Sequence, residues 1–215
     1  MFDYFDNRVD QCEIAEYTRI VATWNDFGSA DCCIDPAGDC NYWNYNWGFA
    51  GSIEAILENM QERIEIPNYG IGREMTISEI DSDLDQDLPF VLRWGWNTGG
   101  GHFLVGYGLD DNISDETNPY LHYMDPWFGE GNHIDLSLWV SSGDNHTWTH
   151  TNRLTGVFMF GDIDGSKHLE LSDVIVALEL MTGAPTSLPF LTADVNGDFQ
   201  IGVEEALYIV GNLAE

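Results

Sequence analysis

The chain has 215 residues, 44% of them hydrophobic and 13% aromatic, which is a globular composition with room for one good core and a small satellite. Its 37 Asp and Glu stand against 7 Lys and Arg, a formal net charge of -30 that nucleic acid phosphates and anionic membrane surfaces would repel, so both are excluded as partners. No run approaches the roughly 18 apolar residues of a membrane span; calcium, cationic partners or a salty medium suit such a surface.

The opening Met1-Phe2-Asp3-Tyr4-Phe5-Asp6 lacks the basic start and apolar middle of a secretory signal. Phe2, Tyr4 and Phe5 have the spacing of a helix face with no cap before them, as in the tail of a helix. Ile14, Ala15, Tyr17, Thr18 and Val21 give a second helical pattern, with Asp10 as its candidate N-cap. Cys12, Cys32, Cys33 and Cys40 are even in number and lack the Cys-x-x-Cys spacing of a zinc site, so they read as an extracellular disulfide framework. Adjacent cysteines rarely bond each other, so Cys12 and Cys40 should each take one of Cys32 and Cys33. Cysteines of this kind without a signal sequence lead us to expect residues upstream of Met1. From Gly28 to Gly48 the pattern becomes a loop crowded with Tyr42, Trp43, Tyr45 and Trp47, which could pack onto the core or line a groove for an extended substrate.

Ser52 to Arg63 is the clearest helix of the first half, with Ser52 as cap and an apolar stripe of Ile53, Ile56, Leu57 and Met60. Thr76 to Leu84 predicts a weaker helix capped by Thr76 or Ser78, and its run Asp81, Asp83, Asp85 and Asp87 reads as a solvated face. Pro89 to Trp94 reads as a strand that enters the turn Asn97 to Gly101. Two short apolar runs follow: Gly101 to Gly108, opening with His102, and Tyr120 to Met124, closing on Asp125-Pro126-Trp127. Antiparallel pairing of these strands would bring the His102 imidazole to the Asp125 carboxylate, the arrangement of a base and its orienter. The alternation of His146 to Thr151 predicts a half-exposed strand, and Val157 to Phe160 a last one. Helices first and antiparallel strands later is the order of an α+β fold.

A different pattern begins at Gly161. Asp162, Asp164, Ser166, His168, Glu170 and Asp173 occupy positions 1, 3, 5, 7, 9 and 12 of a calcium-type loop. The same register recurs 32 residues later as Asp194, Asn196, Asp198, Gln200, Gly202 and Glu205. Alternating oxygen-bearing side chains that end in a carboxylate leading into a helix wrap a hard divalent cation. The apolar helices expected after the loops are Val174 to Met181, ended by Gly183 and Pro185, and Ala206 to Leu213. Position 6, where such loops carry glycine, holds Lys167 and Phe199; glycine stands at position 4 instead.

On these residues the C-terminal part, 158–215, resembles a type I dockerin, a small all-α calcium-binding module. The resemblance implies docking onto a cohesin domain of a scaffold or cell surface, through Leu171 and Ser172 in one repeat and Val203 and Glu204 in the other. Residues 1–157 resemble a bacterial papain-like cysteine peptidase. The matching pieces are Gln11-Cys12-Glu13-Ile14-Ala15, Cys32-Cys33, Cys40-Asn41, the triple glycine before His102, and Met124-Asp125-Pro126-Trp127. That resemblance implies peptide-bond hydrolysis, with His102 as general base and Asp125 orienting it. It also implies a nucleophilic cysteine and an oxyanion-holding glutamine upstream of the segment that Met1 to Phe5 matches. The expected protein is therefore a secreted peptidase moored by its dockerin and inactive as this chain alone. The alternatives are a non-enzymatic calcium-dependent binding or scaffold protein, and an enzyme in which Cys12 is the nucleophile.

Overall fold

The computed structural model describes residues 1–5, 8–22, 31–35, 40, 51–61, 64–110, 118–126, 128–135, 145–183 and 193–214. It is a mixed α+β protein whose sheets are antiparallel throughout. The aromatic loop residues Tyr42, Trp43, Tyr45 and Trp47, together with Trp127 and Pro185, lie outside the described residues. Two compact units emerge: residues 1, 10–57 and 67–156 form the first, and residues 2–9, 58–66 and 157–215 the second. No described helix is long and apolar enough to cross a membrane.

The first unit is built on a six-stranded sheet of β2 (Asn68–Ile71), β7 (His146–Leu154), β3 (Phe90–Trp96), β4 (Gly101–Asp110), β5 (Tyr120–Asp125) and β6 (Gly129–Asp135), in that spatial order. One face of it carries the core. The period of two buries His102, Leu104 and Gly106 of β4 together, and the β3 register sets them opposite Trp94, Leu92 and Phe90. Phe90, Leu92, Leu104, Leu121 and Trp148 pack there with Met75 and with Ile80 of α3 (Ile77–Leu84). The Phe90 and Trp148 rings stack at 5.8 Å. A side chain at Gly106 would begin 2.5 Å from the Phe90 ring, so the core needs glycine at that position.

α3 forms because Thr76 caps it. The Thr76 hydroxyl accepts the Glu79 N–H at 3.3 Å, and Glu79 Oε2 accepts the Thr76 N–H at 2.9 Å. The acidic run beyond is not uniformly a solvated face, because Asp83 is buried. Both its oxygens accept from the Arg153 guanidinium of β7, at 2.8 and 2.7 Å. Arg73 makes a matching fork with Glu79, holding that carboxyl down at about 2, and Glu79 also accepts from Arg153. Replacing Arg153 with Ala would leave Asp83 buried without this partner. The expected cost is about 3 kcal/mol, read from urea unfolding; a change below about 1 kcal/mol would show that the pair behaves as a surface pair.

α1 (Gln11–Val21) starts after Asp10, whose N–H donates to Glu13 Oε2 at 3.4 Å. The bridges are Cys12–Cys33 and Cys32–Cys40, the cross-pairing expected from the adjacency of Cys32 and Cys33. α2 (Ile53–Asn59) is capped by Ser52, whose hydroxyl accepts the Ala55 N–H, and it buries Ile56 and Leu57. It ends at Asn59; Glu62 and Arg63, to which the expected helix ran, lie outside the described residues. The β-branched Ile64 and Ile66 and the ring of Pro67 oppose further helix, and Ile64 pairs with Met159 in a strand instead.

In the second unit, β1 (Ile64–Glu65) pairs with β8 (Phe158–Met159), so the run Val157 to Phe160 contributes two strand residues and belongs to this unit rather than to the large sheet. Phe2–Phe5 is a short 3-10 turn that buries Phe2 and Phe5. α4 (Leu171–Met181) and α5 (Val203–Leu213) each follow one of the repeated loops. Residues 32 positions apart meet across this unit: the Gly161 N–H donates to the Ala193 carbonyl, and Ala177 and Ile209 share one core with Ile163, Ala193 and Ala206. Gly183 ends α4 with φ +71.

Seven cations cannot neutralise 37 carboxylates, and the Debye length shortens from about 10 Å at 0.1 M to about 3 Å at 1 M salt. Thermal stability should therefore rise as NaCl is raised over that interval. A melting midpoint that stays flat or falls would show that self-repulsion does not limit the fold.

Candidate functional site

The triple glycine before His102 has a separate cause at each position. Gly99 and Gly100 close the β3–β4 turn with φ of +95 and +80, where L side chains are strained. A Cβ on Gly101 would lie 2.4 Å from the Trp94 carbonyl. Together they start β4 tightly against β3 with His102 opposite Trp94.

On the other side, Val105 pairs with Met124. One further step in that register sets Asp125 opposite Leu104, so Asp125 is the same-face diagonal neighbour of His102. His102 Nε2 stands 3.0 Å from Asp125 Oδ1, with the two residues 7% and 4% exposed. An ionised carboxylate only accepts, so against an ionised Asp125 it is Nε2 that donates. Three residues that sequence reasoning did not single out gather here. Trp94 and Trp96 of β3 and the buried His146 of β7 have rings within 6.5 Å of one another or of His102. The signal for them is a tryptophan pair two residues apart on the strand entering the glycine turn.

All four cysteines of the chain are in disulfides. Cys12, bonded to Cys33, is therefore not a free thiol, and no free cysteine stands beside His102 and Asp125.

The repeated loops hold a second group of polar side chains. Carboxylate oxygens of Asp162, Asp164 and Asp173 come within 4.8 Å of one another. Asp162 accepts the N–H groups of Gly165, Ser166 and Lys167, and Asp173 those of Ile163, Asp164 and Glu170. In the second loop Asp194 accepts from Asn196, Gly197 and Phe199, and Glu205 from Val195 and Gly202. Positions 1 and 12 thus organise both loops alike. The backbone agrees: Gly165 and Gly197 have φ of 78 and 77, and Lys167 and Phe199 have φ of 66 and 61. Position 6 adopts the left-handed conformation of a calcium-type loop even without glycine.

The other predicted ligands are engaged locally. The Ser166 hydroxyl bonds the His168 backbone, and Glu170 accepts from the Ser172 hydroxyl. Asn196 and Asp198 accept the N–H groups of Asp198 and Gln200. Asp162, Asp164 and Asp173 are the one acidic trio drawn this close among the described residues.

Burial, reinforced by the nearby Asp173 and Asp164 carboxylates, pushes Asp162 from 3.8 up to about 6 against the N–H bonds it accepts. Burial also raises Asp173, whereas Asp194 is lowered: burial opposes that shift and the N–H groups of Phe199 and Gly197 produce it. Between 3.8 and about 6 the folded state holds the Asp162 proton and the unfolded state does not, so stability falls as pH rises through that window. In chelator, the full chain's helical ellipticity should melt at a higher temperature at pH 4.5 than at pH 7 (about those values); the opposite order would show that the buried, ionised Asp162 carboxyl does not destabilise the fold.

No protein-family model matches the chain, and no curated protein matches it.

Proposed function

We propose that the chain is the major part of a secreted papain-like cysteine peptidase carried on a calcium-binding, dockerin-like anchor. The observation that carries the first half is the buried His102–Asp125 pair, with the carboxylate on Nε2. That is the chemistry needed to take a proton from a thiol. None of the four disulfide-bonded cysteines supplies the thiol, and a peptide or protein is the substrate. The two disulfides suit an oxidising, extracellular location.

For the anchor, the doubled loop with matched φ values is the supporting observation. Six oxygens or more surround calcium at 2.3–2.6 Å in such loops, and the carboxylates of Asp162, Asp164 and Asp173 fit that requirement in the first loop. Asp194, Asp198 and Glu205, with Asn196, would supply the second. The helices offer a partner the same face twice. Leu171, Ile175, Leu178 and Met181 of α4 occupy the same loop-numbered positions as Val203, Leu207, Val210 and Leu213 of α5, and each is 43 to 66% exposed. Apolar side chains repeated so openly support a docking role toward a cohesin-like partner.

The absence of a free thiol favours a second reading, a non-enzymatic calcium-dependent binding protein on a papain-like scaffold. Labelling with an epoxide inhibitor of cysteine peptidases separates the two. Protein expressed with the residues encoded in frame upstream should be labelled at one cysteine outside Cys12, Cys32, Cys33 and Cys40, and the present chain should not be labelled. An unlabelled extended protein would support the binding reading.

A further inference from the structure

Successive side chains of β3 alternate between faces, so Trp94 lies on the core face with its cross-strand partner His102, whereas Arg93 and Gly95 lie on the other. On that second face the Arg93 guanidinium ties β3 to both of its neighbours. Its Nη1 donates to Thr149 Oγ1 of β7 at 2.9 Å, and its Nη2 donates to the Gly100 carbonyl of the β3–β4 turn at 2.8 Å. The seat for it is a pair of glycines. Gly95 and Gly101 are cross-strand partners, and a Cβ on Gly95 would lie 3.2 Å from Nη1. One on Gly101 would lie 2.6 Å from Cζ and 2.7 Å from Nη2, so a side chain at that position displaces the guanidinium.

Thr149 is the residue at which β7 changes register. Trp148 pairs with Trp94 and His150 with Arg93, so Thr149 is the extra residue of a β-bulge. Its hydroxyl accepts from Arg93 Nη1 and donates to the Arg93 carbonyl at 3.2 Å, so the side chain and backbone of one residue hold the bulge. A bulge and a glycine turn are the two places where this end of the sheet can slip, and the same guanidinium fastens both. A planar fork sets two donors at a fixed angle, whereas an ammonium group is only a point charge. His102 directly follows Gly101, and a displacement of about 1 Å there is enough to break a 3.0 Å bond to Asp125. We infer that Arg93 is a positioning residue, a clasp on the back of the sheet that locks the β7 bulge to the glycine turn. Through the Gly101 backbone it holds His102 at hydrogen-bond distance from Asp125. The catalytic meaning of this inference rests on the reading of His102 as a base, and its test does not depend on turnover.

The test is chemical rescue in the 15N-labelled full chain, read by NMR near neutral pH. Arg93→Ala empties a seat shaped for a planar cation. It should shift the ring nitrogens of His102 and speed exchange of the Trp94 and His102 backbone amides at least about tenfold. Guanidinium chloride, far below denaturing concentration, should return both toward the parent, and equal NaCl should not. Arg93→Lys, which keeps the charge without the fork, should resemble Arg93→Ala. The ring nitrogens of His122, which pairs with Gly108 toward the other end of β4, should stay constant as the internal control. Parent-like His102 signals in Arg93→Ala, absence of rescue, or equal rescue by NaCl would overturn the clasp, and parent-like signals in Arg93→Lys would overturn the role of the fork. Should Arg93→Ala lose the dispersed amide spectrum of a folded chain, Thr149→Val decides the matter: it should shift the same His102 signals, and parent-like ones would overturn the clasp. A clasp upheld by NMR beside an extended protein without peptidase activity would refute only the catalytic reading; catalysis that needs His102 but survives Arg93→Ala would refute only the positioning role.

Discussion

Removing divalent cations should unfold α4 and α5 and leave the six-stranded sheet folded. The core under these helices is small: Ile163, Ala177, Ala193, Ala206 and Ile209 are its buried members, three of them alanines. Against it stands the burial of Asp162, which lifts its carboxyl to about 6, with the added repulsion of the nearby Asp173 and Asp164 carboxylates. A bound dication reverses the sign of that interaction. By mass action a ligand at a thousand times its Kd stabilises the state it binds by about 4 kcal/mol, which is comparable to what so small a module can hold by packing. Chelation should therefore abolish most of the far-ultraviolet helix signal contributed by α4 and α5, and calcium should restore it. Magnesium should do so poorly, because it demands a tighter octahedral shell than a loop of this length supplies. Asp162→Asn should weaken the response more than Asp194→Asn, since Asp162 belongs to the close carboxylate trio. Helix content indifferent to chelator would contradict calcium binding by either loop.

The parts of this molecule legible in the sequence are those whose signal is local. α3 could be read from Thr76 and Glu79 because a capping box lies within four residues, and the two repeated acidic loops from their oxygen spacing and repeat of 32. The His102–Asp125 contact was legible because two well-marked strands needed only the assumption that they are antiparallel neighbours. β6, Gly129–Asp135, was not legible, since a run with two glycines, an asparagine and two acids has neither alternation nor β-branched residues beyond Ile134. β1 and β8 are two residues each and exist through their pairing, which no local pattern encodes. Asp83 looked like one of four solvated acids because its partner, Arg153, is 70 residues away in sequence. The ring cluster was hidden for the same reason: Trp94 and Trp96 meet both His102 and His146 only through the strand order β7-β3-β4.

The central proposal is that His102, oriented by Asp125, is the base of a thiol-dependent hydrolase whose nucleophile is none of the four disulfide-bonded cysteines. A general base contributes about 10²- to 10⁴-fold to such a reaction. The direct measurement is peptide hydrolysis by the protein expressed with its in-frame upstream residues, compared with His102→Ala and Asp125→Ala in the same protein. The account predicts hydrolysis abolished by thiol alkylation, a loss of about 10³-fold in His102→Ala, and a smaller loss in Asp125→Ala that raises the proportion of the wrong His102 tautomer. Hydrolysis that survives His102→Ala unchanged, or an extended protein that neither cleaves peptides nor carries an alkylatable thiol, would contradict it.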